Sequence, residues 1–209
     1  MNDKMHLMEL FPIPVFIFKT TQVDNDHLCK MVYRIRDEEI SSGRGDKVGL
    51  SNLGGFRTYD IARTPGFEQL RAHIVSTVNA QILDGKWYPG GPIDESYIVG
   101  MWSVINNRGH ANSVHNHPNA WFSGVYYAKV PDDNQKAGSI CFRDPILART
   151  YSRSFYRSSQ SEICCLPPEE GLMVIFPGWF EHSVRPNQTD DDRVAISFNI
   201  KPHPDPALQ

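Results

Sequence analysis

Gly171-Leu172-Met173-Val174-Ile175-Phe176-Pro177-Gly178-Trp179-Phe180-Glu181-His182 is an apolar run, a Pro-Gly break, and a histidine that opens whatever follows. The apolar part is too short for a buried helix and is bounded by turn-formers, so it reads as a buried strand. The same grammar extends outward on both sides. Tyr97 to Asn106, Phe122 to Val130, Gly138 to Phe142, Glu162 to Leu166 and Arg193 to Ile200 are short segments rich in β-branched and aromatic residues. Pro167-Pro168-Glu169-Glu170-Gly171 reads as a tight reversal between two strands. Earlier in the chain the pattern differs. A strand punctuated by Pro12 and Pro14 precedes a helix capped by Asp24 or Asn25, with Leu28, Met31, Val32 and Ile35 on one face. A second helix is expected from Pro65 to Leu83, where Phe67, Leu70, Ile74, Val78 and Ile82 recur at three or four residues. Gly43 to Gly55 reads as a Gly/Ser-rich loop between them. Helices first and strands afterwards predict a mostly β, α+β fold: an antiparallel sandwich or barrel with two helices packed outside. We expect one domain over 1–209, with an N-terminal strand and supporting helices in 1–96 and the β core in 97–201.

Composition narrows the function classes. The 209 residues carry 21 Lys plus Arg against 24 Asp plus Glu, a net charge of -3, so the basic surplus of a phosphate-backbone binder is absent and no nucleic-acid partner is expected. The apolar stretch Leu10 to Phe18 is interrupted by two prolines and falls far short of the ~20 residues that span a bilayer, so no membrane partner is expected. It also lacks the flanks of a secretory signal. Cys29, Cys141, Cys164 and Cys165 form no CxxC pair and no disulfide framework. Together these features predict a soluble, cytoplasmic protein.

Three features carry chemistry. In Gly109-His110-Ala111-Asn112-Ser113-Val114-His115-Asn116-His117-Pro118, His115 and His117 share one face of an extended chain, about 6.6 Å apart. Two such imidazoles can converge on one metal through bonds of ~2.1 Å; the plainer reading is a pair of solvated loop histidines. His182 ends a thoroughly apolar stretch, which gives it either a ligand role or a simple hydrogen bond at the mouth of the β core. In Arg193-Val194-Ala195-Ile196-Ser197-Phe198-Asn199, alternation puts Arg193, Ala195, Ser197 and Asn199 on one face and the apolar residues on the other. An arginine facing a cavity needs an anion, and its planar fork suits a carboxylate. The competing reading pairs Arg193 with Asp190, Asp191 or Asp192 on the surface.

In this order, HxH, then His182, then Arg193, the chain resembles the Fe(II)/2-oxoglutarate-dependent oxygenases. Those proteins carry HxD…H…R on a double-stranded β-helix. The likeness is to the prolyl-hydroxylase-like branch and to a group of small bacterial and phage members, with which the chain shares Phe11-Pro12-Ile13-Pro14-Val15, Ser123-Gly124-Val125-Tyr126-Tyr127 and Ser197-Phe198-Asn199. The resemblance implies a dioxygenase, a hydroxylase of an amino acid, peptide or small metabolite, using Fe(II), 2-oxoglutarate and O2. It implies His115, His117 and His182 as metal ligands and catalytic residues. Arg193, Tyr127 and Ser197 would hold the distal carboxylate of 2-oxoglutarate, with Tyr126 pointing away into the packing.

The departure is His117, which stands where the family has a carboxylate; either it ligates as a third imidazole or water takes that place. A cupin-type three-His metal enzyme, a thiol dioxygenase or isomerase without 2-oxoglutarate, has similar spacing but lacks the glutamate expected after the HxH. A non-catalytic barrel serving as a binding module remains the non-enzyme alternative. Arg143 to Ser161, with Arg149, Arg153 and Arg157 among aromatic residues, reads as either a lid or a solvated insertion. Trp102 reads as core.

Overall fold

Strand alternation in the last element divides the molecule into layers. The computed structural model describes residues 12–43, 51–83, 91–131, 137–146 and 162–201. Its elements are β1 (Phe16–Lys19), α1 (Asn25–Ser41), β2 (Asn52–Leu53), β3 (Phe56–Arg57), α2 (Glu68–Gln81), a 3-10 turn (Glu95–Tyr97), β4 (Ile98–Asn106), β5 (Ala111–His115), β6 (Phe122–Lys129), β7 (Ile140–Arg143), β8 (Ile163–Leu166), β9 (Leu172–Pro177), β10 (His182–Val184) and β11 (Arg193–Ile200). They form two antiparallel sheets, β1-β9-β6-β11-β4-β3 and β2-β5-β10-β7-β8. β11 lies in the middle of the larger sheet. Val194, Ile196, Phe198 and Ile200 are fully buried in a cluster shared with Leu70, Ile74 and Val78 of α2. Each such side chain contributes about 1.5–3 kcal/mol of burial free energy. Ala195 instead joins a second cluster with Val125, Tyr127, Val174 and Phe176, which lies between the sheets. The larger sheet is therefore covered by helices on one face and by the smaller sheet on the other, which is the mostly β, helix-flanked architecture expected from the sequence.

The helices are anchored by specific contacts. The Asp24 carboxylate accepts from the His27 amide at 2.9 Å and caps α1. The Tyr126 hydroxyl donates to Asn25 Oδ1 at 2.6 Å, tying β6 to the first turn of α1 and confirming Tyr126 as a packing residue. Pro65 falls outside α2, contrary to expectation. Gly66 follows it at φ +95°, and a Cβ there would lie 2.6 Å from Met31 Cε, so the chain makes a tight turn against α1 before α2 begins.

Three further expectations are corrected. The Gly/Ser-rich stretch is not all loop: Asn52–Leu53 form β2, which pairs with β5, while residues 44–50 lie outside the described residues. The Pro167–Gly171 connection is not a hairpin, because β8 is an edge strand of the smaller sheet and β9 belongs to the larger; the prolines carry the chain from one layer to the other. Although no disulfide framework was legible, β7–β8 register sets Cys141 opposite Cys165, and the two are bonded. Phe11 of the opening motif and residues 147–161 of the Arg-rich segment also lie outside the described residues. No helix among the described residues is long and apolar enough to cross a membrane.

Gly124 of β6 is the register partner of Phe198, and an added Cβ would lie 2.3 Å from that ring. Gly124→Ala should destabilise the protein by about 1–3 kcal/mol through overpacking, a fall of roughly 2–12 °C in melting temperature, measurable by thermal denaturation.

Candidate metal centre and its cavity

The centre is built by strand register. β10 lies antiparallel to β5, with His182 directly opposite His115. Cross-strand neighbours on one face approach closely, and the two rings stand 4.3 Å apart between centroids. His117 lies just past the end of β5, where the HxH spacing returns it to the same face. Its ring is 5.1 Å from His115 and 5.3 Å from His182. The loop carrying His117 is pinned by its amide, which donates to the Gly178 carbonyl at 2.7 Å. Position 178 tolerates only glycine here, since a Cβ would meet the Ala120 carbonyl oxygen at 2.2 Å. One ligand-capable nitrogen from each of the three rings lies within 4.8 Å of the others, a set that could hold a metal ion.

The imidazoles are prepared for that role by their surroundings. The Nδ1 of His115 faces the Ser113 carbonyl at 2.8 Å, and the Nδ1 of His182 faces the Phe180 carbonyl at 2.9 Å. A carbonyl only accepts, so each Nδ1 carries the proton and Nε2 keeps its lone pair. Desolvation, reinforced by the neighbouring histidines, depresses His182 to about 3; desolvation with His115 and Arg57 nearby depresses His117 to about 4. His115 is lowered by burial as well. All three are neutral at pH 7, the state a metal requires.

The rings open onto a cavity of about 370 Å³ between the sheets, a size that suits a small ligand. Arg193, Ala195, Ser197 and Asn199 all line it, as alternation along β11 predicts. Arg193 is 2% exposed, and its guanidinium lies over the Tyr127 ring, 4.9 Å from the centroid. Arg193 is ion-paired with none of Asp190, Asp191 and Asp192: Asp190 pairs with Arg108, and Asp192 accepts from Tyr33 and Asn107. Among the described residues no carboxylate lies within 4 Å of Arg193. Among the described residues its Nε has no hydrogen-bond partner, and neither does the fully buried Tyr127 hydroxyl. Burial pushes the Tyr127 phenol upward against the opposing effect of Arg193, so it stays an O–H donor at neutral pH. A buried charge beside two orphaned polar atoms is costly unless an anion completes it. Gly138 makes room for the arrangement, because a Cβ there would lie 2.6 Å from Arg193 Cδ.

Two residues of the cavity escaped the sequence. Trp102, expected in the core, is half-buried and lines the cavity, with its ring 5.7 Å from that of His117. Its place follows from pairing: it stands opposite Ser197 on the inward face. Arg57 lines the same cavity from the two-residue β3, where no periodicity could mark it.

Residues 100–199 match the family model described as "Putative 2OG-Fe(II) oxygenase". A search of the curated proteins gives no significant match. Among solved structures, the chain is similar to a prolyl-4-hydroxylase from Pseudomonas putida, at 12% identity over 91% of this chain and 94% of that one, with a TM-score of 0.58. It is also similar to HygX from Streptomyces hygroscopicus with nickel and 2-oxoglutarate bound, at 11% identity over 91% and 83% of the two chains, TM-score 0.56. The α-ketoglutarate-dependent epimerase SnoN from nogalamycin biosynthesis matches at 10% identity over 89% and 76%, TM-score 0.58. The facing antiparallel sheets are the double-stranded β-helix of these proteins. Over residues 100–199 the chain is thus similar in sequence to the 2OG-Fe(II) oxygenase family, and over most of its length it shares their fold.

The depressed histidines have a consequence for the metal-free protein. In the unfolded chain they titrate near 6.5; in the fold they refuse the proton until far lower pH. Below pH ~6.5 the unfolded state therefore binds more protons, and stability falls as pH falls. Denaturant titrations of the metal-free protein should show this decline between roughly pH 6.5 and 4, and His182→Phe should flatten it.

Proposed function

We propose that the protein is an Fe(II)- and 2-oxoglutarate-dependent dioxygenase that hydroxylates an amino acid, peptide or small metabolite. The observation that carries this reading is the placement, in one cavity, of three neutral imidazoles and a buried arginine without a carboxylate partner. His115, His117 and His182 would hold the iron, with the Ser113 and Phe180 carbonyls fixing the tautomers of the first and third. The donor set fits a dipositive ion of the iron–zinc series, which imidazole suits. When bound, ferrous iron and 2-oxoglutarate together activate O2, the co-substrate leaving as succinate and CO2.

The remaining work belongs to the chain. The Arg193 guanidinium, whose Nε has no partner among the described residues, and the Tyr127 hydroxyl beside it are the donors that the distal carboxylate of 2-oxoglutarate would satisfy, with Ser197 on the same strand face adding a hydroxyl. Holding the co-substrate at its tail orients its other end toward the histidines and reduces the entropy lost at reaction. The apolar walls, Val125, Ile140 and Phe176 among them, keep water from the reacting region. The match of residues 100–199 to the oxygenase family model and the alternation of Arg193, Ala195, Ser197 and Asn199 along one cavity wall favour this reading over a cupin-type three-His enzyme or a binding module.

Anaerobic addition of 2-oxoglutarate to protein loaded with Fe(II) should produce a charge-transfer band in the visible; a metal-loaded protein that gives none is not a 2-oxoglutarate enzyme. His182→Ala should lose both that band and succinate formation. Arg193→Met should separate function from stability. It should raise the 2-oxoglutarate concentration for half-maximal turnover by roughly 10–100-fold, the loss of a charge-assisted contact of about 1.5–3 kcal/mol. In the ligand-free protein the same variant should match or exceed wild-type stability, because it removes an uncompensated buried charge.

A further inference from the structure

The cavity contains a second guanidinium, which the proposed co-substrate leaves unused. Arg57 of β3 pairs in register with Val104 of β4, and its guanidinium lies over the Trp102 indole, 4.8 Å from the ring centroid. That indole is in turn 5.7 Å from His117. Arg57 thus stands on the His117 side of the centre, reached from β3 and β4, whereas Arg193 reaches it from β11.

Its charge is poorly met by the protein. Among the described residues its one hydrogen bond is from Nη1 to the Thr58 carbonyl, long at 3.4 Å. Among the described residues no carboxylate lies within 4 Å. Asp60 is the acid whose field it feels, but Asp60 Oδ1 accepts from the amides of Ala62 and Met101, both at 2.9 Å. The arginines nearby in sequence are differently placed: Arg71 is paired with Glu95 at 2.8 Å, and Arg63 donates to the Glu95 and Ile98 carbonyls. Among the described residues no Asp or Glu lines the cavity, and the polar residues that line it with Arg57 include the neutral Ser51, Asn52, Asn112 and Asn116. A guanidinium held over an indole by its charge still has N–H donors to offer a planar acceptor. One guanidinium among neutral donors balances one negative charge, which suits a carboxylate better than a phosphate of charge near −2.

We propose that Arg57, seated on Trp102, determines specificity by receiving a carboxylate of the primary substrate, so that the enzyme acts on a small carboxylate-bearing molecule. The inference rests on the function proposed above and names the substrate class of that site.

The test uses protein loaded with Ni(II) and 2-oxoglutarate, which does not turn over, and ligand-observed NMR against the common amino acids, their N-acetyl forms and the corresponding primary amides. At least one carboxylate should bind roughly tenfold or more tighter than its own amide, the factor expected for a charge-assisted hydrogen bond. Arg57→Gln should abolish this preference and Arg57→Lys should restore part of it, with melting curves confirming that both fold. The loss of carboxylate affinity should exceed any loss of 2-oxoglutarate affinity by about tenfold. Equal binding of acids and amides, no bound carboxylate, a preference that survives Arg57→Gln, or an equal loss of 2-oxoglutarate affinity overturns the inference while leaving the oxygenase reading intact. Failure of the metal-loaded wild type to bind 2-oxoglutarate overturns that reading and the inference with it.

Discussion

The placement of His182 directly opposite His115 across two antiparallel strands is the constraint on which the centre depends. Antiparallel pairing has period two, so a slip of one residue in β10 would turn His182 to the other face and leave His115 without its neighbour. The register is held from both sides: β10 pairs with β5 through this histidine and with β7 through His182 opposite Phe142. Phe142 packs on Phe176 and Phe180, so the apolar core between the sheets and the position of the imidazole are one piece of packing. The Cys141–Cys165 bond lies in the next strand pair outward, one residue from Phe142, and ties edge strand β8 to this arrangement.

Much of the centre was legible because alternation along a strand is a strong signal. It put Arg193, Ala195, Ser197 and Asn199 on one face and Val194, Ile196 and Phe198 on the other; the first set lines the cavity and the second packs against the helices. It also separated Tyr127, which faces Arg193, from Tyr126, which reaches Asn25. What stayed hidden depends on which strands become neighbours. Trp102 looks like an ordinary core aromatic until β4 is known to lie beside β11. Cys141 and Cys165 are 24 residues apart and meet only through the β7–β8 pairing. Strands as short as β2 and β3 have no period to read, and Arg57 was lost with them.

The three sequence signals were individually weak because each had a plain alternative, and for two of them the fold bears on that alternative in different ways. For Arg193 the alternative fails because Asp190 and Asp192 are committed to Arg108, Tyr33 and Asn107. For His182 a local hydrogen bond does exist, to Phe180, but it occupies Nδ1 and leaves the second nitrogen free. The bond offered as an alternative to a ligand role is the one that prepares the ring for it.

Replacing the carboxylate ligand of the family pattern with His117 changes the charge balance of the cavity. Three neutral imidazoles, two guanidiniums and no lining acid leave a bound divalent cation uncompensated by the protein. On the proposed function, the two carboxylates of 2-oxoglutarate supply the missing negative charge, one at the metal and one at Arg193. Each ligand then binds a site that the other has made less repulsive, and by linkage the effect is reciprocal: the anion tightens the metal as much as the metal tightens the anion. A carboxylate ligand would have removed part of that dependence by neutralising the ion itself. On that proposal, the histidine at position 117 would give a centre that holds its metal more firmly when the co-substrate is present, with the remaining positive field, at Arg57, left to draw in the molecule to be oxidised.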